Sequence, residues 1–337
     1  MVSLILLIFL KHLIDLLLVS SKYYIFVGMR KNLFLSLIVS LATNIASIAF
    51  AEDSADLFFA QGNDLYTAGK YEDAIKSYKK ALNLSPGNTY ILYNMGNAFS
   101  NKGSYSDAIK CFNEAIDGGL VDASIYFNLG NAYNSQGETV EAVGAYKKSI
   151  KINPNDAATL HNLAMAYTPL GDLENAIKCY ESAIKINPDD AGSQYNLGNI
   201  YSQMDDETAA IQCYTKTVKI NPYYEKAYCN MGVSYSNLGD EDHAIDCYKK
   251  AIELNPRYAR AHYNLGISFL HRNMKEGAEK CFEKVVELTP YDISAFIKIA
   301  NAYGEMSNEK RQIECMKRAA ELGDEDCIKW LKDKGIK

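Results

Sequence analysis

Residues 225–258 read EKAYCNMGVSYSNLGDEDHAIDCYKKAIELNPRY, and the pattern of this 34-residue stretch recurs along most of the chain. Its eighth residue, Gly232, belongs to a series of small residues with a constant spacing of 34. The series is Gly62, Gly96, Gly130, Ala164, Gly198, Gly232, Gly266 and Ala300. Each unit holds two stretches with helical periodicity, so the sequence predicts eight stacked helix pairs.

Apolar residues occupy further fixed positions of every unit. Three residues after the small residue come Leu65, Phe99, Tyr133, Tyr167, Tyr201, Tyr235, Phe269 and Tyr303. Sixteen residues after it come Tyr78, Phe112, Tyr146, Tyr180, Tyr214, Tyr248, Phe282 and Met316. Small residues let two helices approach closely, and a large ring fills the space opposite them. We therefore interpret these positions as a packing code.

Glycine and proline mark the predicted helix ends. The first helices are followed by Gly69, Gly103, Gly137, Gly171 and Gly239, where a left-handed residue commonly ends a helix. The second helices are followed by Pro86, Pro154, Pro188, Pro222, Pro256 and Pro290, because proline disfavours helical geometry in the residue before it. Asn or Asp after the proline, as at Asp156, is expected to cap the next helix.

Taken together, these motifs resemble the tetratricopeptide-repeat family over residues 54–323. The resemblance implies an all-α fold, an α-solenoid coiled as a right-handed superhelix, with eight 34-residue helix-turn-helix repeats. Residues 324–337 are expected to add a capping helix and tail, with Ile328, Trp330 and Leu331 near one face. The C-terminal end, from Ala319 to Leu331, also resembles the related Sel1-like repeat.

A concave groove lined by the first helices is the binding surface that the resemblance implies. Its ligand contacts come from the second, fifth, sixth, ninth, twelfth and thirteenth positions of these helices, which we call groove positions. The sixth position holds Asn94, Asn128, Asn162, Asn196, Asn230 and Asn264. This row resembles the asparagine ladder of superhelical family members, which holds peptide backbones. Copying of a neutral residue by tandem duplication, or hydrogen bonding between neighbouring helices, would give the same row.

Other groove positions add amides, rings and cations. The ninth position includes Asn97, Asn131 and Asn199, and the fifth includes Tyr93, Phe127, Tyr195 and Tyr263. Aromatic anchors among amides suit an extended peptide with apolar side chains, while ring packing inside the solenoid is the alternative. Lys226 and Arg260, at the second position, resemble part of the carboxylate clamp of the family, although the clamp's other Lys and Arg are here Tyr195 and Asn264. Solvated groove charges are the alternative.

The charge of the chain disfavours nucleic acid as a partner. The 337 residues carry a formal net charge of −6, and removing residues 1–51 leaves 31 basic and 40 acidic residues, a net charge of −9. An acidic surface repels a phosphate backbone. A weakly basic or neutral protein or peptide is easier to accommodate.

An export signal is expected near the N-terminus. Residues 1–28 are a doubtful prefix: Lys11, His12 and Asp15 interrupt their apolar stretch, which makes it a poor membrane span, and Met29 is expected to be the true start. Residues 29–51 have the basic start, apolar middle and small-x-small end of a signal peptide, which predicts cleavage after Ala51. The protein would then be periplasmic or secreted. An uncleaved signal anchor, with the repeats exported, is the alternative.

Nothing in the sequence indicates catalysis, a cofactor or a metal. Six cysteines share one position of the second helix, which suggests a row of thiols rather than disulfides: Cys111, Cys179, Cys213, Cys247, Cys281 and Cys315. His161 and His271 fall on groove positions without metal or acid-base spacing. The sequence therefore favours a non-catalytic scaffold that binds a protein or peptide. The alternatives are an envelope assembly or structural protein that works through its convex face or a membrane anchor, and a regulatory or targeting subunit of an enzyme.

Overall fold

The computed structural model describes residues 54–336 and, before them, residues 36, 39, 40 and 43. The predicted prefix (1–28), and the predicted signal peptide (29–51) apart from those four residues, lie outside the described part of the chain. The predicted cleavage site after Ala51 lies outside it as well. Both segments stay predictions from the sequence.

Residues 54–336 form seventeen α-helices and, within that range, no β-strand. The first helices of the repeats are α1 (54–67), α3 (Thr89–Lys102), α5 (Ala123–Gln136), α7 (Ala157–Tyr167), α9 (Ala191–Gln203), α11 (Glu225–Asn237), α13 (Ala259–His271) and α15 (Ile293–Glu305). The second helices are α2 (Tyr71–Leu84), α4 (Tyr105–Asp117), α6 (Thr139–Ile152), α8 (Leu173–Ile186), α10 (Glu207–Ile220), α12 (Glu241–Leu254), α14 (Lys275–Leu288) and α16 (Glu309–Glu321). A last helix, α17, covers Glu325–Asp333.

The helices belong to two compact units, Met1–Pro154 and Asn155–Lys337. The first unit contains α1 to α6, and the second contains α7 to α17. Within each unit a first helix packs against the second helix that follows it, and this second helix packs against the next first helix. The predicted all-α fold of consecutive helix pairs is confirmed.

The packing code has the predicted physical basis. A Cβ atom on Gly232 would lie 2.6 Å from a ring carbon of Tyr248, well inside van der Waals contact. Gly96 meets the ring of Phe112 at the same distance. Both rings are buried. The small residue is therefore needed because the ring from the second helix occupies the space where a side chain would stand.

The turn between the two helices of a repeat requires a left-handed residue. Gly103 has φ of 85° and closes α3 through its backbone N–H. The fifth, seventh and eighth repeats place Asp205, Asn273 and Ser307 at this position, with φ of 60°, 58° and 58°. The geometry of the repeat therefore imposes the turn even where the residue is not glycine, at an energetic cost to the non-glycine residues.

Helix caps follow the predicted sequence signals. Helix α6 ends at Ile152, two residues before Pro154, and the side chain of Asp156 then accepts a hydrogen bond from the backbone N–H of Ala158 at 3.1 Å. Helix α7 starts at this cap. The proline after one helix and the capping aspartate before the next thus set where one repeat ends and the following repeat begins.

The capping helix corrects one sequence expectation. Leu331 is buried and Trp330 is partly buried in α17, as predicted, but Ile328 is 50% exposed. The third core residue is Cys327, whose thiol contacts the sulfur of Met316 at 3.4 Å. Positions 327, 330 and 331 span an arc of about 100° around the helix, and residue 328 lies about 60° beyond Leu331 on the exposed side.

Candidate functional site

The sixth-position asparagines of the first unit form hydrogen bonds between adjacent repeats. The Nδ2 of Asn128, on α5, donates to the Oδ1 of Asn97 on α3 at 2.9 Å and to the hydroxyl of Tyr93 at 3.1 Å. The Nδ2 of Asn94 donates in the same way to the Oδ1 of Asn63 on α1, at 3.0 Å. Each amide therefore links its helix to the previous first helix.

A tyrosine from the second helix completes this network. The hydroxyl of Tyr78 donates to the Oδ1 of Asn63 at 2.8 Å, and that of Tyr146 donates to the Oδ1 of Asn131 at 2.7 Å. Burial raises the pKa of Tyr78 to about 12, so its phenol stays neutral and keeps the proton that it donates. The ring that fills the packing space opposite a glycine also orients a groove amide.

The second unit repeats the arrangement between its second and third repeats. The Nδ2 of Asn230 donates to the Oδ1 of Asn199 at 2.8 Å and to the hydroxyl of Tyr195 at 3.0 Å, and the hydroxyl of Tyr214 donates to the same Oδ1 at 2.9 Å. The two lone pairs of this oxygen are thereby used. Within the described residues, no partner is seen for the two N–H groups of Asn199.

Two asparagines of the row have different neighbours. Asn196 follows a repeat with Met165 at the ninth position, and its side chain contacts the hydroxyl of Tyr180. The Nδ2 of Asn264 faces the Sγ of Cys229 at 3.8 Å, a weak contact. Asn162 also interacts with neighbouring residues. The amide row is thus continuous in sequence but uneven in its hydrogen bonding.

The fifth-position rings pack inside their own repeats. Each lies against the ring sixteen residues after the small residue, with centroid distances of 6.1 Å for Tyr93 and Phe112, and 5.9 Å for Tyr195 and Tyr214. The pairs Phe127–Tyr146 and Tyr263–Phe282 are similar, at 6.2 Å and 6.0 Å. All four groove rings are only partly buried, so one part of each ring supports the core while another remains on the groove surface.

Lys226 and Arg260 are exposed, and neither forms an ion pair with the described residues. Arg260 lies near the partly buried ring of Tyr258 and the buried thiol of Cys229. Burial raises the pKa of this thiol, and the positive charge of Arg260 acts in the opposite direction. The two cations stand on successive first helices, α11 and α13, where a negatively charged ligand could reach them.

A polar cleft of about 550 Å³ lies on the first-helix face of the first unit. Its walls carry only uncharged side chains, including Tyr66, Tyr93, Asn97, Asn128, Asn131 and Ser135. A second cleft, of about 310 Å³, lies between α7 and α9 in the second unit and has mainly apolar walls. Both clefts include predicted binding asparagines.

Three family models of tetratricopeptide repeats match the chain, and together they run from residue 62 to residue 280. A model described as TPR repeat matches residues 62–103, 96–137 and 165–205. Two models described as Tetratricopeptide repeat match residues 123–156, 191–224 and 225–258, and residues 145–178 and 247–280. The chain belongs to the tetratricopeptide-repeat family.

Solved structures of two other tetratricopeptide-repeat proteins share this fold. The C-terminal part of a TPR repeat-containing protein from Cytophaga hutchinsonii is 16% identical, with a TM-score of 0.62, over 71% of this chain and 98% of that one. A tetratricopeptide repeat protein from Parabacteroides merdae is 21% identical, with a TM-score of 0.57, over 72% and 96%. The MamA protein is 29% identical, with a TM-score of 0.47, over 50% and 92%. No curated relative matches the chain.

Membership of the tetratricopeptide-repeat family makes this protein a scaffold for protein interaction, with a fold that is typically non-catalytic. The matched residues end before the segment that resembles a Sel1-like repeat, so this resemblance stays a prediction. Among residues 54–336 no cluster of His, Cys, Asp or Glu could hold a metal ion. None of the helices in that range is both long and apolar enough to cross a membrane.

Two buried carboxylates join tetratricopeptide repeats in the second unit, and sequence reasoning missed both. Glu241, at the start of α12, contacts the Nδ1 of His271 at 2.5 Å and accepts a hydrogen bond from the hydroxyl of Ser236 at 3.0 Å. Glu207, at the start of α10, accepts a hydrogen bond from the Nδ2 of Asn237. A glutamate at the same position of two successive repeats was the available signal. His271, which the sequence places on a groove position, is therefore part of an inter-repeat hydrogen bond.

The cysteine row contributes buried thiols to the second helices. Burial raises the pKa of Cys111 and Cys247 to about 12 and that of Cys213, Cys281 and Cys315 to about 11. Nucleophilic chemistry requires the thiolate. These five cysteines therefore act as small packing residues in the core.

Proposed function

We propose that this protein is a non-catalytic scaffold that binds an extended segment of a partner protein on the first-helix face of its repeats. The observation that carries the proposal is the polar cleft of about 550 Å³ in the first unit. An extended peptide exposes backbone N–H and C=O groups whatever its side chains. Neutral amides, hydroxyls and phenols can satisfy both kinds of group without requiring a particular charge.

Besides the proposed binding, the asparagines have a structural role, because their hydrogen bonds join adjacent repeats. Asn97 uses its Oδ1 to accept the amide of Asn128, and within the described residues its own two N–H groups have no partner. An amide that is fixed on one side and open on the other is preorganised, because the fold rather than the ligand bears the cost of its orientation. We infer that the N–H groups of Asn97 and Asn199 face peptide carbonyls.

A steric block of the cleft tests the proposal. Ser135 is an exposed lining residue at the end of α5 and takes no part in the amide network. The substitution Ser135→Arg therefore fills the cleft and leaves the amide network intact. The matched control is Val140→Arg, which adds the same side chain at an exposed residue of the second helix α6. Tagged full-length protein is used to capture partners from the cells that make it, and the captured proteins are quantified by mass spectrometry.

The expected result is that Ser135→Arg abolishes recovery of a specific partner while Val140→Arg retains it, with unchanged melting temperatures. The opposite pattern would favour the alternative in which the convex, second-helix surface is the working face. Equal recovery of the partner by the natural protein and by both variants would contradict binding in this cleft.

We also propose that the repeats act outside the cytoplasm, after cleavage following Ala51. The support is the order of basic, apolar and small residues within positions 29–51. N-terminal sequencing of the protein isolated from its own cells tests this. A mature chain that begins at Glu52 is the expected result, and a chain that retains residues 29–51 would favour the membrane-anchored alternative.

A further inference from the structure

The amide network of the second unit is interrupted at its first repeat. Met165 stands at the ninth position, where Asn199 stands in the following repeat. Asn230 has the Oδ1 of Asn199 as its acceptor, whereas Asn196 has no amide opposite and contacts the hydroxyl of Tyr180. Asn196 therefore takes no part in the hydrogen bonds between asparagines of adjacent repeats, and it lies on the wall of a cleft.

Proline shapes this cleft by ending α7 early. Pro169 has no backbone N–H, so the carbonyl of Met165 cannot receive the usual helical hydrogen bond from residue 169. Helix α7 accordingly ends at Tyr167, and a 3-10 turn, Thr168–Leu170, replaces its last turn. The corresponding helix of the first unit, α5, continues to Gln136. At this repeat the first helix thus ends in a 3-10 turn rather than in a last regular turn.

We call this cleft the apolar socket. It has a volume of about 310 Å³ and is lined by Met165, Thr168, Pro169, Asn196, Ile200 and Gln203, among others. Met165 is 46% exposed, so its apolar side chain is accessible to a ligand in the socket. The volume corresponds to roughly ten water molecules of liquid. One leucine, methionine or phenylalanine side chain fits such a space.

Cations outnumber acids at the groove positions of the second unit, although the whole chain is acidic. Three of its groove positions hold cations, Lys226, Arg260 and Lys298, and one holds an acid, Glu305. None of the three cations forms an ion pair within the described part of the chain. In the first unit the one charged groove position is Asp56. Because exposed cations without partners attract negative charge, this face complements an acidic ligand.

We propose that the second unit binds an extended acidic segment of a partner protein and receives one large apolar side chain of that segment in the apolar socket. Carboxylates of the segment face Lys226 and Arg260, and Asn196 holds the backbone next to the socket. This inference rests on the proposed function, since it names the partner chemistry of the first-helix face in one unit. It departs from the expectation, drawn from net charge, of a weakly basic or neutral partner.

Fluorescence anisotropy with three short labelled peptides tests the inference on the full-length protein. The first peptide consists of Asp, Glu and Gly with one central Phe. The second has Ser in place of the Phe, and the third has Lys in place of every acidic residue. Burial of the ring is expected to make the first peptide bind about tenfold or more tightly than the second. The first peptide should also bind about tenfold or more tightly than the third at low ionic strength, and this difference should shrink as salt is added.

Two kinds of variant test which residues cause the preference for Phe and which cause the preference for acidic peptides. Met165→Asn restores the ninth-position amide of the neighbouring repeats and is expected to remove the preference for Phe over Ser. Gln203→Trp, at an exposed rim residue, fills the socket from outside and should have the same effect if Met165→Asn does not fold. Lys226→Glu and Arg260→Glu should remove the preference for acidic peptides. Lys216→Glu, an equal charge reversal on the second helix α10, should leave it unchanged.

Equal affinities for the acidic and the basic Phe peptides, or a Phe preference that survives both socket variants, would overturn the inference. The proposed function has a separate readout. If these peptides fail to bind while the Ser135→Arg variant still loses its partner, the partner chemistry is wrong and the binding face stands. If Ser135→Arg also has no effect, the proposed function itself fails.

Discussion

The Nδ2 of Asn230 donates a hydrogen bond to the Oδ1 of Asn199 at 2.8 Å, and this bond joins the first helices of two successive repeats. The same oxygen accepts the hydroxyl of Tyr214 from the second helix. One amide therefore connects three helices. The asparagine row is a structural element of the solenoid as well as a candidate binding surface, and the two roles predict different effects of substitution.

Removal of Asn199 is expected to weaken the fold. In Asn199→Ala, the amide of Asn230 and the phenol of Tyr214 both lose an acceptor, and leaving partly buried polar groups unpaired typically costs about 1–3 kcal/mol. Asn301→Ala is the matched control, because this ninth-position asparagine of the last repeat is exposed and lies outside the amide ladder of the described residues. Urea unfolding measures both. Equal free energies of unfolding for the two variants would contradict the structural role.

The left-handed turns that lack glycine offer sites for stabilisation. Ser307 has φ of 58° at the position where five repeats have glycine. Relief of this strain in Ser307→Gly is expected to raise the free energy of unfolding by about 0.5–1 kcal/mol, after the greater flexibility of glycine in the unfolded chain is allowed for. Asn273→Gly should gain less, because asparagine tolerates this conformation better. Thermal unfolding of the two variants measures which substitution stabilises the protein more. A loss of stability in Ser307→Gly would refute the interpretation that Ser307 is strained.

Glycines in this chain differ in what a methyl group would meet. In Gly232→Ala the new Cβ would overlap the ring of Tyr248, so a loss of about 1–3 kcal/mol from overpacking is expected. Gly144, on the exposed face of α6, has open space around it. Gly144→Ala should therefore stabilise the protein by up to about 1 kcal/mol through helix propensity. Melting temperatures that move in the same direction for both variants would disprove the packing code.

Acid should weaken the contact between α12 and α13. Burial raises the pKa of Glu241, but hydrogen bonds from neighbouring groups, including His271 and Ser236, outweigh it and leave the pKa below its ordinary value. A carboxyl with a lowered pKa stabilises the fold fully above its unfolded-state pKa of about 4.3, and this contribution is lost as the pH falls through the lowered value.

The free energy of unfolding of the natural protein should therefore exceed that of Glu241→Gln near pH 5, and the difference should narrow as the pH is lowered towards 3. Urea titrations at several pH values measure this difference. The exposed Glu276→Gln on α14 serves as control and should show no comparable trend. A difference that widens in acid would contradict a lowered pKa of Glu241 in the folded protein.

The fold could be predicted from the sequence because the packing code acts within a single repeat. Gly232 and Tyr248 are sixteen residues apart, and one helix pair brings them together irrespective of the rest of the chain. The binding role of the asparagines was less predictable. The 34-residue period places Asn199 and Asn230 on the same face, but it does not specify how closely two repeats approach, and that distance decides whether their amides bond to each other.

The burial and contacts of side chains at the edges of the repeat pattern also could not be predicted from the sequence. Helical spacing alone allowed Ile328 to be placed on the core face of α17, yet the structure buries Cys327 there and exposes Ile328. The pairing of Glu241 with His271 depends on contact between the start of one helix and the end of another. Such contacts follow from the stacking of repeats, which a single sequence period does not encode.

Site-specific photo-crosslinking tests the central claim most directly. A photoreactive residue is placed at Ser135 in the polar cleft, at Gln203 on the rim of the apolar socket, and at Lys216 on the second-helix surface. The account predicts that one partner protein crosslinks at Ser135 or Gln203 through a short contiguous segment and not at Lys216. Crosslinks confined to Lys216, with both first-helix positions silent, would contradict it.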